Sequence, residues 1–440
     1  MSLLDGNSAE CLKSEVDFFS VPPTQTCVEK GQWVECQPVS LMPDHGPIEF
    51  RVPGSDDLYL DLSQTVLKVT AKIVKKDGTA LVAADAVSPT NLTLHSLFSQ
   101  VDVSLNQRLV SASSPTYAYR AYLETLLNYG KGAKNGQLQA ALYYKDTAGH
   151  FDDATILGAN AGLKARRLFT ERSQSVDMEG RLHVDLLHQE KYLLNRVDLT
   201  VRMTRAPNAF SLMVGDDEEN YKWVIEEAVL KLRKVHLSDA LRLAQEERLM
   251  RENAKIPINR VLCNVYSIPA GIQTYTKDNL FQGQLPKRLV VTMVDNDAFN
   301  GAFKKNPFKF KHNQLSGICL YVDNEAAPAE PMRLNFDCAS GNRYVSAYMS
   351  LFHGGNTFCV DTDNDISRND FGNGYTMFAF DLTPDLSNSN HLSLLKNANL
   401  KLQLNFATPL GQTTILLVYA EFDNLIEITK DHAVLYDYAN

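Results

Sequence analysis

From Val101 to Leu105 apolar and polar residues alternate, with Val101, Val103 and Leu105 on one side and Asp102 and Ser104 on the other. A period of two predicts a strand with one buried face. After a polar break at 111–115, Tyr119, Tyr122, Leu123, Leu126 and Leu127 recur at steps of three and four, ahead of Gly130. That spacing predicts an aromatic-rich helix, stopped where glycine can turn left-handed. The alternating period returns at 65–76, 181–187, 197–204, 223–237, 256–268, 288–294, 400–406, 413–420 and 422–429, with shorter strands at 48–53 and 58–62. Ser238 heads a charged helix reaching about Asn253, whose narrow apolar side is Leu241, Ala244 and Leu249.

Part of this pattern occurs twice. Residues 318–324 (ICLYVDN) lie on 101–107 (VDVSLNQ), and AYMSLF at 347–352 lies on AYLETL at 121–126. Leu394-Leu395 with Leu400, Leu402 and Leu404 likewise lie on Leu193-Leu194 with Leu199, Val201 and Met203. The helix offset is 226 (347 − 121) and the late-strand offset 201 (400 − 199), so the first copy carries an insertion of about twenty-five residues. Many short alternating strands, twice over, predict an all-β protein with short helical insertions: two tandem eight-stranded jelly rolls, a double jelly roll. The expected organisation is an extended N-terminal arm at 1–47, a first jelly roll at 48–237, a connecting helix at 238–255 and a second jelly roll at 256–440.

Composition narrows the class. The chain of 440 residues is 44% hydrophobic and 22% charged, the proportions of a globular protein with room for two cores. Its net charge of −9 argues against a main surface that grips nucleic acid. No apolar run approaches the ~18 residues a membrane helix needs, and the acidic N-terminus predicts no signal peptide. Seven cysteines without a C-x-x-C pair predict buried, reduced thiols.

Candidate chemistry is sparse. Asp361, Asp363 and Asp365 imitate the start of a calcium loop, but its sixth position is Ile366 and its twelfth Gly372, so a solvated loop is expected. Gly130-Lys131-Gly132 has the wrong order for a phosphate loop. His183 and His188 are close in sequence, but no carboxylate or cysteine completes a recognisable ligand set, and His95 reads as a structural histidine. The run Lys304 to Lys311 alternates cations with Phe308 and Phe310, as single-strand binders do, yet a surface loop is the expectation on an acidic protein. No nucleophile elbow occurs. No catalytic residue, cofactor or metal site is therefore expected, and the chain is expected not to be an enzyme.

Several segments together resemble a known family. FFSVPPTQT at 18–26, IEFRVPGSDDLYLDL at 48–62, LHSLFSQVDVSLN at 94–106, YAYRAYLETLLNYG at 117–130 and VYAEFDNLIEITKDHAV at 418–434 are similar to the double jelly-roll major capsid proteins of Polinton/Maverick elements and their adintovirus-like relatives, in the adenovirus-like lineage. The resemblance implies a virion capsid protein, assembled inside the host cell, that forms pseudo-hexameric homotrimers. These would tile an icosahedral shell around double-stranded DNA without reading its sequence, with a single jelly-roll penton protein at the vertices. The residues then expected to matter are packing residues: Phe98, Val101, Val103, Leu105, Tyr119, Tyr122, Leu123 and Leu126 in one core, and Tyr348, Met349 and Phe352 in the other. The alternative is a host-domesticated or glycan-binding double jelly-roll protein without shell assembly.

Overall fold

The computed structural model describes residues 7–40, 46–215, 220–327, 330–337, 341–354, 363–386 and 391–436. Eight strands build the two main sheets of the first half, beside a small ladder of Val87–Pro89 with Leu212–Val214: β1 (Val28–Cys36), β2 (Ile48–Val52), β3 (Leu58–Lys75), β4 (Phe98–Leu105), β5 (Arg108–Leu109), β6 (Val176–Arg181), β7 (Leu199–Arg205) and β8 (Tyr221–Leu237). They pair, all antiparallel, into sheets of order β1-β8-β3-β6 and β2-β7-β4-β5. The second half repeats this with β9 (Ala254–Ile268), β10 (Thr274–Lys277), β11 (Arg288–Asp295), β12 (Leu315–Val322), β13 (Glu325–Ala326), β14 (Phe378–Asp381), β15 (Leu400–Phe406) and β16 (Thr414–Ile428). Its sheets run β9-β16-β11-β14 and β10-β15-β12-β13, the first order with eight added to every strand. Short strands at Val434–Tyr436 and Met332–Arg333 add a fifth strand to each sheet of the second half, on β16 and β12; two facing sheets with four principal strands in this order are a jelly roll, so the chain is a double jelly roll. Three helices matter below: α1 (Tyr117–Asn128), α2 (Asp239–Leu249) joining the halves, and α3 (Val345–Gly354).

Alternation along the strands explains the layers. On β3, Leu67, Val69, Ala71 and Ile73 are fully buried while Lys68, Thr70 and Lys72 are half-exposed. Leu199, Val201 and Met203 of β7 face Leu105, Val103 and Val101 of β4, and Leu400, Leu402 and Leu404 face Val322, Leu320 and Ile318 at the corresponding places.

The repeat extends to details. The β4–β5 turn puts Asn106 and Gln107 at positive φ (46° and 68°), and the β12–β13 turn does the same with Asp323 and Asn324 (49° and 72°). Each first turn residue accepts a backbone N–H through its Oδ1, from Asp198 onto Asn106 and from Asn399 onto Asp323, both at 2.8 Å. One residue before the even ladder begins, each inner strand bulges, at Ser99 and Ser316. There the serine hydroxyl donates to an opposite carbonyl, Thr204 at 3.3 Å and Asn405 at 2.9 Å.

Several expectations need correction. Residues 28–36, assigned to the arm, form β1, paired with β8 along the edge of the first sheet. Among the described residues, 7–27 fit an arm; all but Asp17 are exposed, including Phe19 at 97%. The two strands expected at 58–62 and 65–76 are the single β3, and those at 413–420 and 422–429 the single β16. The strand expected at 181–187 is instead the end of β6 followed by a 3-10 turn, Asp185–His188. Cys263 and Cys319 are buried free thiols, but Cys11 and Cys27 are exposed, and Cys338 and Cys359 lie outside the described residues. Among the described residues no helix is long and apolar enough to cross a membrane.

Candidate functional site

The buried apolar residues of the two halves form one continuous cluster, and α1 stands at the joint. Its polar N-cap residue Thr116 donates to the Cys263 carbonyl of β9 at 3.2 Å, fixing the helix start against the second half. From there Tyr119 and Tyr122 project onto rings of that half. Tyr119 stacks on Phe299 with centroids 5.4 Å apart and planes 13° off parallel. Tyr122 stacks on Phe308 at 4.2 Å and 23° and meets Phe310 edge-on at 5.7 Å.

Phe308 and Phe310 come from the run expected to be a surface loop. Both are fully buried, and their lysines turn outward into ion pairs: Lys305 with Asp297 at 2.9 Å, Lys309 with Asp152, and Lys311 with Asp295. The alternation is therefore that of a two-faced segment, with aromatics in the joint and neutralised cations outside. A nucleic-acid grip would need those cations unpaired.

Polar groups lock the same joint. Arg120 of α1 donates from Nε to Glu124 at 2.8 Å and pairs through Nη2 with Asp185 at 2.6 Å. Asp185 in turn accepts the Val261 backbone N–H of β9 at 3.2 Å. Glu124 shares a 2.6 Å hydrogen bond with Nδ1 of His183, and His95 Nδ1 lies 2.9 Å from the Tyr117 hydroxyl. Burial alone would raise the Glu124 carboxyl, but the Arg120 guanidinium and His183 outweigh it and hold it well below the usual carboxylate range. Burial, with its neighbour His183, pushes His95 far down. A carboxylate clamped so low is the reverse of a poised general acid or base, which needs a pKa near the working pH.

A second network lies on the far side of α1. Arg166, fully buried, pairs with Asp146 at 2.7 Å and donates to the Pro89 carbonyl at 2.9 Å. Tyr375 of the second half donates to the Asp146 carbonyl at 2.7 Å. Lys134, also buried, donates to the carbonyls of Leu126 at 2.9 Å and Asn364 at 2.6 Å, and burial lowers it to about 8. The supposed calcium loop belongs here too: Asp365 and Asp370 meet Lys145, and Asp363 accepts the Lys131 N–H. Asp361 lies outside the described residues. Gly374 takes φ of +114°, and a Cβ there would sit 2.3 Å from the Phe151 ring.

Phe98, Val101, Val103, Leu105, Tyr119, Tyr122, Leu123 and Leu126 are all buried, but Tyr119 and Tyr122 serve the joint and not the first core alone. Tyr348 and Phe352 are half-buried against the apolar cluster, and Met349 is half-buried outside it. The sequence reading missed Phe299, Phe308, Arg120, Glu124 and Asp185; for Phe308 and Phe310 the period-two spacing was the available signal. It also expected no carboxylate for His183 and His188. The fold supplies Glu124, with one ligating atom of each of the three groups within 4.8 Å of the others.

No protein-family model matches the chain. It is 27% identical over 428 residues to an uncharacterized protein of Caenorhabditis elegans, covering 93% of this chain and 97% of the relative. Its fold is similar to that of a chain in the cryo-EM structure of the Sputnik virophage, with TM-score 0.66, 12% identity, and 100% and 94% of the two chains covered. The faustovirus major capsid protein matches at TM-score 0.56 and 9% identity over 95% and 92%, and the mavirus major capsid protein at 0.52 and 13% over 99% and 97%. At these identities the shared property is the double jelly-roll architecture over the full length.

Proposed function

We propose that the chain is a non-enzymatic shell subunit, a major capsid protein whose trimers present six jelly rolls in a ring. The finer reading is an icosahedral virion around double-stranded DNA, with a single jelly-roll protein at the vertices. A Polinton/Maverick or adintovirus-like origin is supported by the segment resemblances and by a full-length relative in a nematode. That same relative favours one second reading, a host protein that kept the fold without making shells; particles in electron micrographs would separate the two.

The observation that carries the proposal is the asymmetry of the joint. Within the chain, α1 and the Asp185–His188 turn of the first half cover β9, the first strand of the second half. Each half then leaves the complementary surface open. The first strand of the first half, β1, is exposed along most of its length, with Trp33 at 58%. In the second half α3 replaces α1, and Val345 stands, at 43% exposure, where α1 has the buried Tyr119. Setting α3 of one copy on β1 of the next repeats the internal contact, and such a head-to-tail contact closes into a ring. Mass photometry of the purified chain should give three times 49.2 kDa, with six-lobed outlines by negative stain. Trp33→Glu should yield well-folded monomers. A wild-type chain that stays monomeric at tens of micromolar would overturn the reading.

A further inference from the structure

We propose that Glu124, His183 and His188 form a binding site for a divalent zinc-type ion that ties α1 to the Asp185–His188 turn. One oxygen and two imidazole nitrogens within 4.8 Å of one another are a borderline-soft donor set. It suits zinc or cobalt and not calcium or magnesium, which favour all-oxygen shells. Three protein ligands leave a fourth position open to water.

The surroundings fit a cation. Arg120 fixes Glu124 through Oε1 at 2.8 Å, leaving Oε2 as the atom toward His183. A second group that holds a ligating carboxylate in place is what built metal sites have. Arg120 and Arg181, whose Nη2 donates to the Leu187 carbonyl of the turn at 3.1 Å, balance Asp185 and Glu124, so the pull on a divalent ion comes from the Glu124 carboxylate at its centre. On binding, the ion takes the place of the hydrogen bond between Glu124 Oε2 and His183 Nδ1, so His183 coordinates as the tautomer that carries its proton on Nε2. His183 is held from its far side by the His95 ring, edge-on at 4.8 Å and 82°. His188 sits at the exposed end of its turn, 5.7 Å ring to ring from His183, and is the ligand free to swing the remaining distance. Because Asp185 of the same turn accepts from Val261 of β9, an ion here would stiffen the joint between the halves.

The test uses the full-length chain, stripped with chelator and titrated with Zn²⁺, and with Co²⁺ as an absorbing probe. The expected result is one ion per chain, visible-region Co²⁺ bands of low coordination number, and a melting temperature that rises with metal concentration. Ca²⁺ and Mg²⁺ should change neither. His188→Ala should weaken binding at least tenfold while leaving the metal-free melting temperature unchanged, since His188 is exposed. Because Glu124→Gln disturbs the Arg120 network and could unfold the joint, His188→Ala is the deciding variant. Wild-type chain that takes up no Zn²⁺ at 100-fold molar excess would overturn the proposal, as would undiminished binding in His188→Ala. Both readouts are independent of assembly, so their failure leaves the shell reading standing.

Discussion

Tyr122 lies flat on Phe308, ring centroids 4.2 Å apart, across the boundary between two domains that share one fold. Both side chains are fully buried, so truncating either leaves a cavity that the facing sheets are too rigid to close. Tyr122→Ala or Phe308→Ala should each cost about 3–5 kcal/mol in denaturant unfolding. The double variant should fall short of the sum by about 0.5–1.5 kcal/mol, the worth of the stacked pair. Strict additivity would mean the rings merely coexist.

Gly374 of the second half packs against the Phe151 ring of the first. Gly374→Ala places a methyl against the Phe151 ring and forces an L residue to hold φ of +114°. A loss of about 2–4 kcal/mol is expected, measured as a drop in urea midpoint at unchanged slope.

The two matched turns offer a gain. Gln107 and Asn324 hold positive φ at the second turn position, where glycine is the favoured residue. Gln107→Gly should stabilise the chain by about 0.5–1 kcal/mol, and Asn324→Gly by less, because asparagine already tolerates that conformation. The melting temperatures should rank in that order.

His312 stacks on Phe336 at 4.2 Å and 10°, and its Nδ1 accepts the Gln314 N–H, a role open only to an unprotonated nitrogen. Burial pushes its pKa down to about 4. The unfolded chain therefore binds the proton first as pH falls, and stability, complete above about 6.5, declines between there and about 4. His312→Phe should keep the stack, lose roughly 1 kcal/mol for the missing acceptor, and show a shallower fall in melting temperature over that pH interval.

Deleting residues 1–26 should leave melting and the number of chains per oligomer unchanged, since no described residue of 7–26 is buried and β1 begins at Val28. Particle formation should fail if Phe18 and Phe19 dock on neighbouring trimers. Intact shells from the shortened chain would assign the arm no part in assembly.

The strands that repeat were legible because burial on one face imposes a period of two, and the offsets of 217 and 201 at Ser99/Ser316 and Leu199/Leu400 are the structural ones. What could not be read was anything decided by contacts between halves. β1 looks like an arm because both its faces are wet and its partner, β8, lies some two hundred positions away. The lysines of 304–311 look available until Asp152, Asp295 and Asp297 are placed beside them. Glu124 was invisible as a neighbour of His183 because 59 residues separate them.

The short α2 link has a kinetic consequence. A six-part ring made from separate jelly rolls would need five associations, each paying the entropy of association. Here half of the ring's contacts form while each chain folds, at the high effective concentration that a tether imposes. In the proposed trimer, ring closure would then depend on the third power of subunit concentration instead of the sixth, so a cell would fill its pool of building blocks at far lower expression.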